Sequence, residues 1–373
     1  MSSQVPLKDL ALNPERVARI GREVQAVAPR FDAQAFAAGV IQDLPHLELK
    51  ARIARTARGL HDHLPITGPD ALACLVRSLP ASPEAAGLTN DFGLHVYSPH
   101  SAYVAAYHRD PAHLDQALAA LRTFTRYFSA EDAVRYFLRD FPDETMAKAT
   151  EWAADPDYRV RRLASESTRP NLPWSIAVGL PTGATVPLLD ALHPDEHRFV
   201  TTSVANHLRD IARTDRDLVL TTLARWRAEG RAATKNLDFI ARNALKTQLK
   251  DGWPPAYAFL GYDIDAPVTV GPLRLEHREF RVDDVLAFTA ELTVPADTPV
   301  HVMYVVTRTT PGGGEQEKFH QLAKRTARCA GPLSLSKEHK LRSTTNFVIT
   351  PGQYRLALQV NGRRSPATTF HIV

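Results

Sequence analysis

Apolar residues recur at helical spacing over the first two thirds of the chain. Past about Asp263 the period changes to two. Asn13-Pro14-Glu15 reads as an N-cap followed by proline and opens a helix over Arg16–Val27. The pattern predicts further helices over Phe31–Leu44, Leu47–Leu60, Pro69–Leu79 and Leu114–Phe128. Ser129-Ala-Glu131-Asp132 then reads as the capped start of another, with Glu131 in its first turn, where the helix dipole favours an ionised acid. Pairing of Glu131 with Arg135, one turn on, is the commoner use of such a residue. In the last third, Val285–Leu292, Val300–Val306 and Tyr354–Val360 alternate as strands. Asn361-Gly362 is a two-residue hairpin turn, and Pro311-Gly-Gly-Gly314 and Pro351-Gly352 mark other turns. About seven short strands in the last ~110 residues suggest an immunoglobulin-like sandwich without its disulfide.

The helical part carries a weak repeat. Leu163–Glu166 aligns with Val204–His207 at an offset of 41 residues, and Val204–Leu208 with Ala241–Leu245 at 37. Spacings near ~40 indicate HEAT-type helix pairs, which stack into a solenoid. The expected architecture is an all-α HEAT-like solenoid over residues 1–262 followed by an all-β sandwich over 263–373.

Charge narrows the function only slightly. The net charge of +4 permits nucleic-acid binding without arguing for it, so clustering must decide. Asn206, Arg209, Arg213 and Arg216 fall on one helical face by spacing, and Arg242, Lys246 and Lys250 on another, preceded by Lys235. Such runs are usually solvated faces, yet two in successive repeats also make a track for phosphates. The two cysteines, Cys74 and Cys329, have no metal or redox spacing, which fits a reducing compartment. The start lacks a signal-peptide core, and no run approaches the ~18–20 apolar residues of a membrane span. These features predict a soluble cytoplasmic protein with no membrane partner.

One stretch departs from the generic. In VRRLASESTRPNLPW, residues 160–174, Arg162 and Glu166 sit four apart on a helix, Pro170 ends it, and Pro173 suits the start of another. A carboxylate and an indole, Glu166 and Trp174, are thereby predicted to meet at a helix–turn–helix corner. The ordinary interpretation is an Arg162–Glu166 salt bridge beside a buried Trp.

This stretch closely resembles the signature of the AlkC-type DNA alkylation repair glycosylases, a branch of the HEAT-like-repeat glycosylases. Leu47–Arg52, His63-Leu-Pro65 and Ser203–Ile211 resemble the same family, and Leu335-Ser-Lys337-Glu-His339 resembles a motif of the subgroup with a C-terminal Ig-like domain. The resemblance implies a monofunctional glycosylase that hydrolyses the N-glycosyl bond of cationic bases, chiefly 3-methyladenine and 3-methylcytosine, without base flipping. Carried over residue by residue, it implies an active site of Glu131, Glu166 and Trp174, with Asp210 matching a further acid. Arg161, Arg162, Arg169, Asn206, Arg209, Arg213, Arg242, Lys246 and Lys250 are the expected DNA contacts of the solenoid, and Lys337, His339 and Lys340 those of the sandwich. His95 is expected to be structural. The expected partner is duplex DNA containing alkylated bases, bound by a monomer, with no metal and no cofactor. Asp132, Tyr136, Ser167, His207 and Arg209 depart from the family's usual residues without removing a candidate catalytic group.

The chemistry agrees with those residue types. A base alkylated at a ring nitrogen is already cationic and leaves as a neutral molecule, so positive charge develops on the sugar. Carboxylates stabilise that charge and orient a water. An indole face adds ~0.5–2 kcal/mol of cation–π attraction. Two rival readings are a HEAT-repeat interaction scaffold and a DNA-binding protein without activity; release of free base separates both from an enzyme.

Overall fold

Among the described residues every regular element up to Phe259 is helical and every one after it is a strand. The computed structural model describes residues 5–310, 312–344 and 347–373; Pro311, part of one expected turn, lies outside them. The helices are α1 (Leu7–Ala11), α2 (Pro14–Val27), α3 (Ala33–Ile41), α4 (Leu49–His63), α5 (Gly68–Arg77), α6 (Ser98–Tyr107), α7 (Leu114–Phe124), α8 (Glu131–Asp140), α9 (Pro142–Trp152), α10 (Tyr158–Ser167), α11 (Val186–Leu192), α12 (Arg198–Ile211), α13 (Arg216–Glu229), α14 (Thr234–Ala244), α15 (Lys246–Lys250) and α16 (Pro254–Phe259). No helix is long and apolar enough to cross a membrane among the described residues.

Met1–Ala244 forms one compact unit. In it α4, α6, α8, α10, α12 and α14 pack each on the next, and α5, α7 and α9 form a parallel series behind them. Local chemistry sets the ends. Asn13 caps α2 by accepting from the Arg16 amide at 3.0 Å, with Pro14 in the first position. Asp157 caps α10 by accepting from Arg159 N at 2.9 Å. The helix expected over Leu114–Phe128 stops at Phe124, because the next residues turn to form a bridge between Phe128 and Gly93.

Leu245–Val373 forms the second unit. Its strands are β1 (Thr269–Val270), β2 (Arg274–Leu275), β3 (Glu279–Phe280), β4 (Val285–Val294), β5 (Thr298–Thr309), β6 (Glu315–Ala327), β7 (Gly331–Lys340), β8 (Gly352–Val360), β9 (Arg363–Arg364) and β10 (Thr368–Ile372). One sheet pairs β4 with β7, β1 and β2; the other runs β3-β10-β8-β5-β6, with β9 on β8. The strands outnumber the expected seven because β1, β2, β3 and β9 have two residues each, too short to show a period. β4 alternates buried and open positions along most of its length, and Leu286, Phe288 and Leu292 meet Tyr304, Leu356 and Phe370 in the core between the sheets. Asn361 and Gly362 both take positive φ, 45° and 90°, and connect Val360 to Arg363 as the hairpin requires.

The helical segment α15–α16 belongs to this second unit, so the units meet at Ala244–Leu245 while the change of period falls near residue 263. β5 explains this, since its residues are buried on both faces over most of the strand. Its second face is covered from α15–α16 and the chain after them. Gln359 Nε2 donates to Leu249 O at 2.8 Å, the Tyr262 ring stacks on His301 at 5.4 Å, and Asn361 Nδ2 donates to Asp263 O at 2.9 Å. A Cβ on Gly252 would lie 2.6 Å from Gly362 O, so that approach needs glycine.

Candidate active site

The first turn of α8, α10 with the turn that follows it, and the last turn of α12 bring five charged side chains into one continuous chain of alternating sign. Glu131 Oε2 accepts from Arg162 Nη1 at 3.2 Å. Arg162 Nη2 lies 3.5 Å from Glu166 Oε1, and Arg169 Nη1 donates to that oxygen at 2.6 Å. Arg169 then grips Asp210 Oδ2 with Nε and Nη2 at 2.9 and 2.8 Å. Ser203 Oγ donates to the remaining oxygen of Glu166 at 2.6 Å. Ser129 Oγ bonds both Glu131 Oε2 and Arg162 Nη1. All five charged residues are buried, which is tolerable because each charge has an opposite partner.

The two glutamates differ. Both oxygens of Glu166 are taken, and its side chain keeps 3% of its surface. Glu131 keeps 11%, and its Oε1 accepts no hydrogen bond among the described residues. Burial works against ionising Glu166, but the Arg162 and Arg169 guanidiniums and the Ser203 hydroxyl outweigh it and hold the carboxyl below its usual range. Burial holds Asp210 above its usual range, partly offset by Arg169. His207 is fully buried between Thr185 Oγ1 (2.9 Å) and Ser165 O (3.0 Å), and burial lowers its pKa to about 3.

The corner after α10 differs from the expectation. Residues 172–175 form a turn closed by Ser175 N on Leu172 O at 3.0 Å, and no helix or strand follows before α11, so no helix starts at Pro173 and Trp174 is 50% exposed rather than buried. Arg135 holds this segment. It is fully buried and donates to Ser167 O (3.0 Å), Arg169 O (2.7 Å) and Ile176 O (2.7 Å), so it does not pair with Glu131. Lys50 on α4 bonds Trp174 O and lies 3.1 Å from Asp132. Ser129 does not cap α8, because its hydroxyl is turned to Glu131 and Arg162.

Comparison with known proteins shows the family. Residues 101–247 match the family described as DNA alkylation repair enzyme, and 269–373 match the C-terminal Ig-like domain of the uncharacterised protein YhaZ. The uncharacterized protein YhaZ of Bacillus subtilis (strain 168) is 26% identical over 96% of this chain and 98% of its own. The Pseudomonas fluorescens alkylpurine DNA glycosylase AlkC, solved bound to DNA containing an abasic site analog, is 30% identical over 98% of this chain and 99% of its own, with a TM-score of 0.88. The chain belongs to the AlkC-type DNA alkylation repair glycosylases.

In this AlkC-type chain several cations expected to meet DNA are committed internally. Arg161 pairs with Asp195 at 2.5 Å and donates to Asp155 O and Pro156 O. Arg162 and Arg169 are buried links of the acid chain. Lys250 lies 5.6 Å from the centre of the Phe319 ring. His339 Nδ1 meets Tyr304 Oη at 2.9 Å beside His320. The two predicted stripes are also interrupted. α12 ends at Ile211, before Arg213 and Arg216, and Leu245 leaves helical geometry (ψ 14°) between Arg242 and Lys246. Arg209, Arg213, Arg242 and Lys246 keep open or half-open positions, as Asn206 does, and Lys337 and Lys340 are exposed on β7. The sequence pattern did not mark Ser203 or Lys50 individually, and it assigned Ser129 and Arg135 other partners. Ser203 and Lys50 both lie in stretches that resemble the family, Ser203–Ile211 and Leu47–Arg52.

Proposed function

We propose that this protein removes cationic alkylated bases, chiefly 3-methyladenine and 3-methylcytosine, from duplex DNA by hydrolysing the N-glycosyl bond without base flipping. The observation that carries the reading is the contrast between the two glutamates of the buried acid chain: both oxygens of Glu166 are taken, while Glu131, the more exposed, has an Oε1 that accepts no hydrogen bond among the described residues. As the C1′–N bond breaks, the base leaves neutral and the sugar becomes cationic. Glu131 faces that charge and takes a proton from the attacking water as the C1′–O bond forms. Arg162 and Ser129 fix the Glu131 carboxylate through its other oxygen. Glu166, Arg169 and Asp210 fix Arg162 in turn, so they are positioning residues. Preorganised carboxylates of this kind need no reorganisation when charge develops.

Trp174 supplies an exposed indole face for the cationic base. A half-exposed ring suits a base met at the surface of a bent duplex rather than one enclosed in a pocket. Asn206, Arg209, Arg213, Arg242 and Lys246 supply phosphate contacts, and Lys337 and Lys340 supply contacts from the sandwich, with the protein acting as a monomer. The experiment is single-turnover reaction on a duplex with one 3-methylcytosine, read as abasic sites cleaved by alkali. Abasic sites should form with wild-type protein and roughly 10²–10³ times more slowly with Glu131→Gln. Equal rates from both would remove Glu131 from the reaction.

A further inference from the structure

Three aromatic side chains are exposed among the described residues: Phe92, Tyr107 and Trp174. Tyr107 is stacked on His61 with ring centres 3.9 Å apart, so one of its faces is taken. Phe92 is the most open of the three, at 59%, and it lies beside the acid chain. Its ring centre is 5.8 Å from the Arg162 guanidinium, the group that also bonds Glu131. Phe199, on α12, lies 4.6 Å from the same guanidinium and meets Phe92 edge to face at 5.0 Å and 84°. An edge-to-face contact supports one aromatic on another without covering it.

An exposed phenylalanine is unremarkable on a mobile loop, but this one is fixed from both sides. Asn90 Oδ1 accepts from Phe92 N at 3.0 Å and from Gly93 N at 3.2 Å. Leu94 N donates to Tyr127 O at 2.9 Å, and Phe92 O accepts from Ser129 N at 3.4 Å. Tyr158 Oη donates to Asp91 Oδ1 at 2.8 Å. Gly93 has φ 85°, and a Cβ there would lie 2.1 Å from Tyr127 O, so the tight approach admits only glycine. Backbone geometry, a side-chain cap and three hydrogen bonds to other segments thus hold an apolar ring in water. The ring sits within one side chain, Arg162, of Glu131, the glutamate whose Oε1 accepts no hydrogen bond among the described residues.

We propose that Phe92, backed by Phe199, is a second aromatic platform of the active site and stacks on the face of a nucleobase at the lesion. The inference deepens the glycosylase reading and rests on it for the identity of the base. A flat cationic ring gains from a π face, and any nucleobase gains from stacking. Loss of one base–aromatic stack is worth ~1–3 kcal/mol, which is about 5- to 150-fold.

The test uses the full chain with Phe92→Leu, which keeps an apolar side chain and removes the π face, and Phe92→Trp, which restores one. Single-turnover release of 3-methyladenine should slow about 5- to 150-fold in Phe92→Leu and recover in Phe92→Trp. Melting temperature and affinity for undamaged duplex should stay near wild type in both. Release at the wild-type rate by Phe92→Leu would overturn the proposal, as would a loss that Phe92→Trp does not restore. A second arm does not depend on excision. A duplex carrying 2-aminopurine next to an abasic site analogue reports stacking by its fluorescence. Wild-type protein should change that signal and Phe92→Leu should not; equal changes would sink the platform. If wild-type protein releases no base yet the fluorescence arm separates the variants, the glycosylase reading fails and the platform stands.

Discussion

Replacing each glutamate by glutamine should separate the two roles by comparing rate with stability. Glu166→Gln removes the central negative charge from a chain in which Arg162 and Arg169 both depend on it, at 3.5 and 2.6 Å. Breaking a buried ion pair from one side costs ~3–5 kcal/mol, and glutamine's retained acceptor places this change near the low end, about 3 kcal/mol. For a helical unit of this size ~1 kcal/mol moves Tm by about 2–4 °C, so the melt should fall by roughly 6–12 °C. Glu131→Gln loses the charge at one end of the chain, where one guanidinium at 3.2 Å and a hydroxyl are the partners. Its cost is about 1.5 kcal/mol, or roughly 3–6 °C. The rates should run the other way. Glu131→Gln should slow single-turnover base release by roughly 10²–10³, the scale of one lost preorganised electrostatic group. Glu166→Gln should slow it less at a temperature where both variants are folded. Melting by circular dichroism and release by chromatography on the same preparations decide the matter. A Glu131→Gln variant that keeps its rate, or a Glu166→Gln variant that melts like wild type, would refute the division of roles.

Two further outcomes are expected. Arg213→Ala and Arg242→Ala should each reduce the log–log salt slope of duplex binding by ~0.9, whereas Arg161→Ala, which breaks the Asp195 pair, should lower Tm and leave the slope alone; a slope change in Arg161→Ala would place that residue on DNA. His207 is held neutral with a pKa of about 3, so the unfolded chain takes up its proton first as pH falls below the ordinary value of 6.5, and stability is lost on acidification from 6.5 towards 3. Each such histidine costs about 1.4 kcal/mol per pH unit in that window, so His207→Asn should lose visibly less Tm than wild type between pH 7 and pH 5; equal losses would show that His207 is not the group being charged.

Much of the fold was legible because its signals are local. Asn13-Pro14 and Asn361-Gly362 fix a helix start and a hairpin through side-chain capping and positive φ, and both lie where the residues put them. The unit boundary was not legible, because what ties α15–α16 to the sandwich is tertiary, through Gln359 and Tyr257. At the site, resemblance named Glu131, Glu166 and Asp210, and these acids do meet in one chain through Arg162 and Arg169. The same sequence gave no means of telling an arginine turned inwards from one turned to solvent, so Arg161, Arg162 and Arg169 read as DNA contacts. Arg135 read as a partner of Glu131 for a related reason, since its actual partners are backbone carbonyls of a turn that had read as a helix start. Phe92 passed unnoticed because exposure is a property of the loop that Asn90 and Gly93 shape.

Release of alkylated bases as free molecules by this chain can be measured directly. Duplex DNA treated with a methylating agent, incubated with the wild-type protein and then freed of polymer, can be analysed by chromatography against standards of each methylated base. Free 3-methyladenine and 3-methylcytosine should accumulate with time, with the same yield in the presence of a chelator and much less with Glu131→Gln. A supernatant without free base, from protein that binds the same DNA, would contradict the proposed activity.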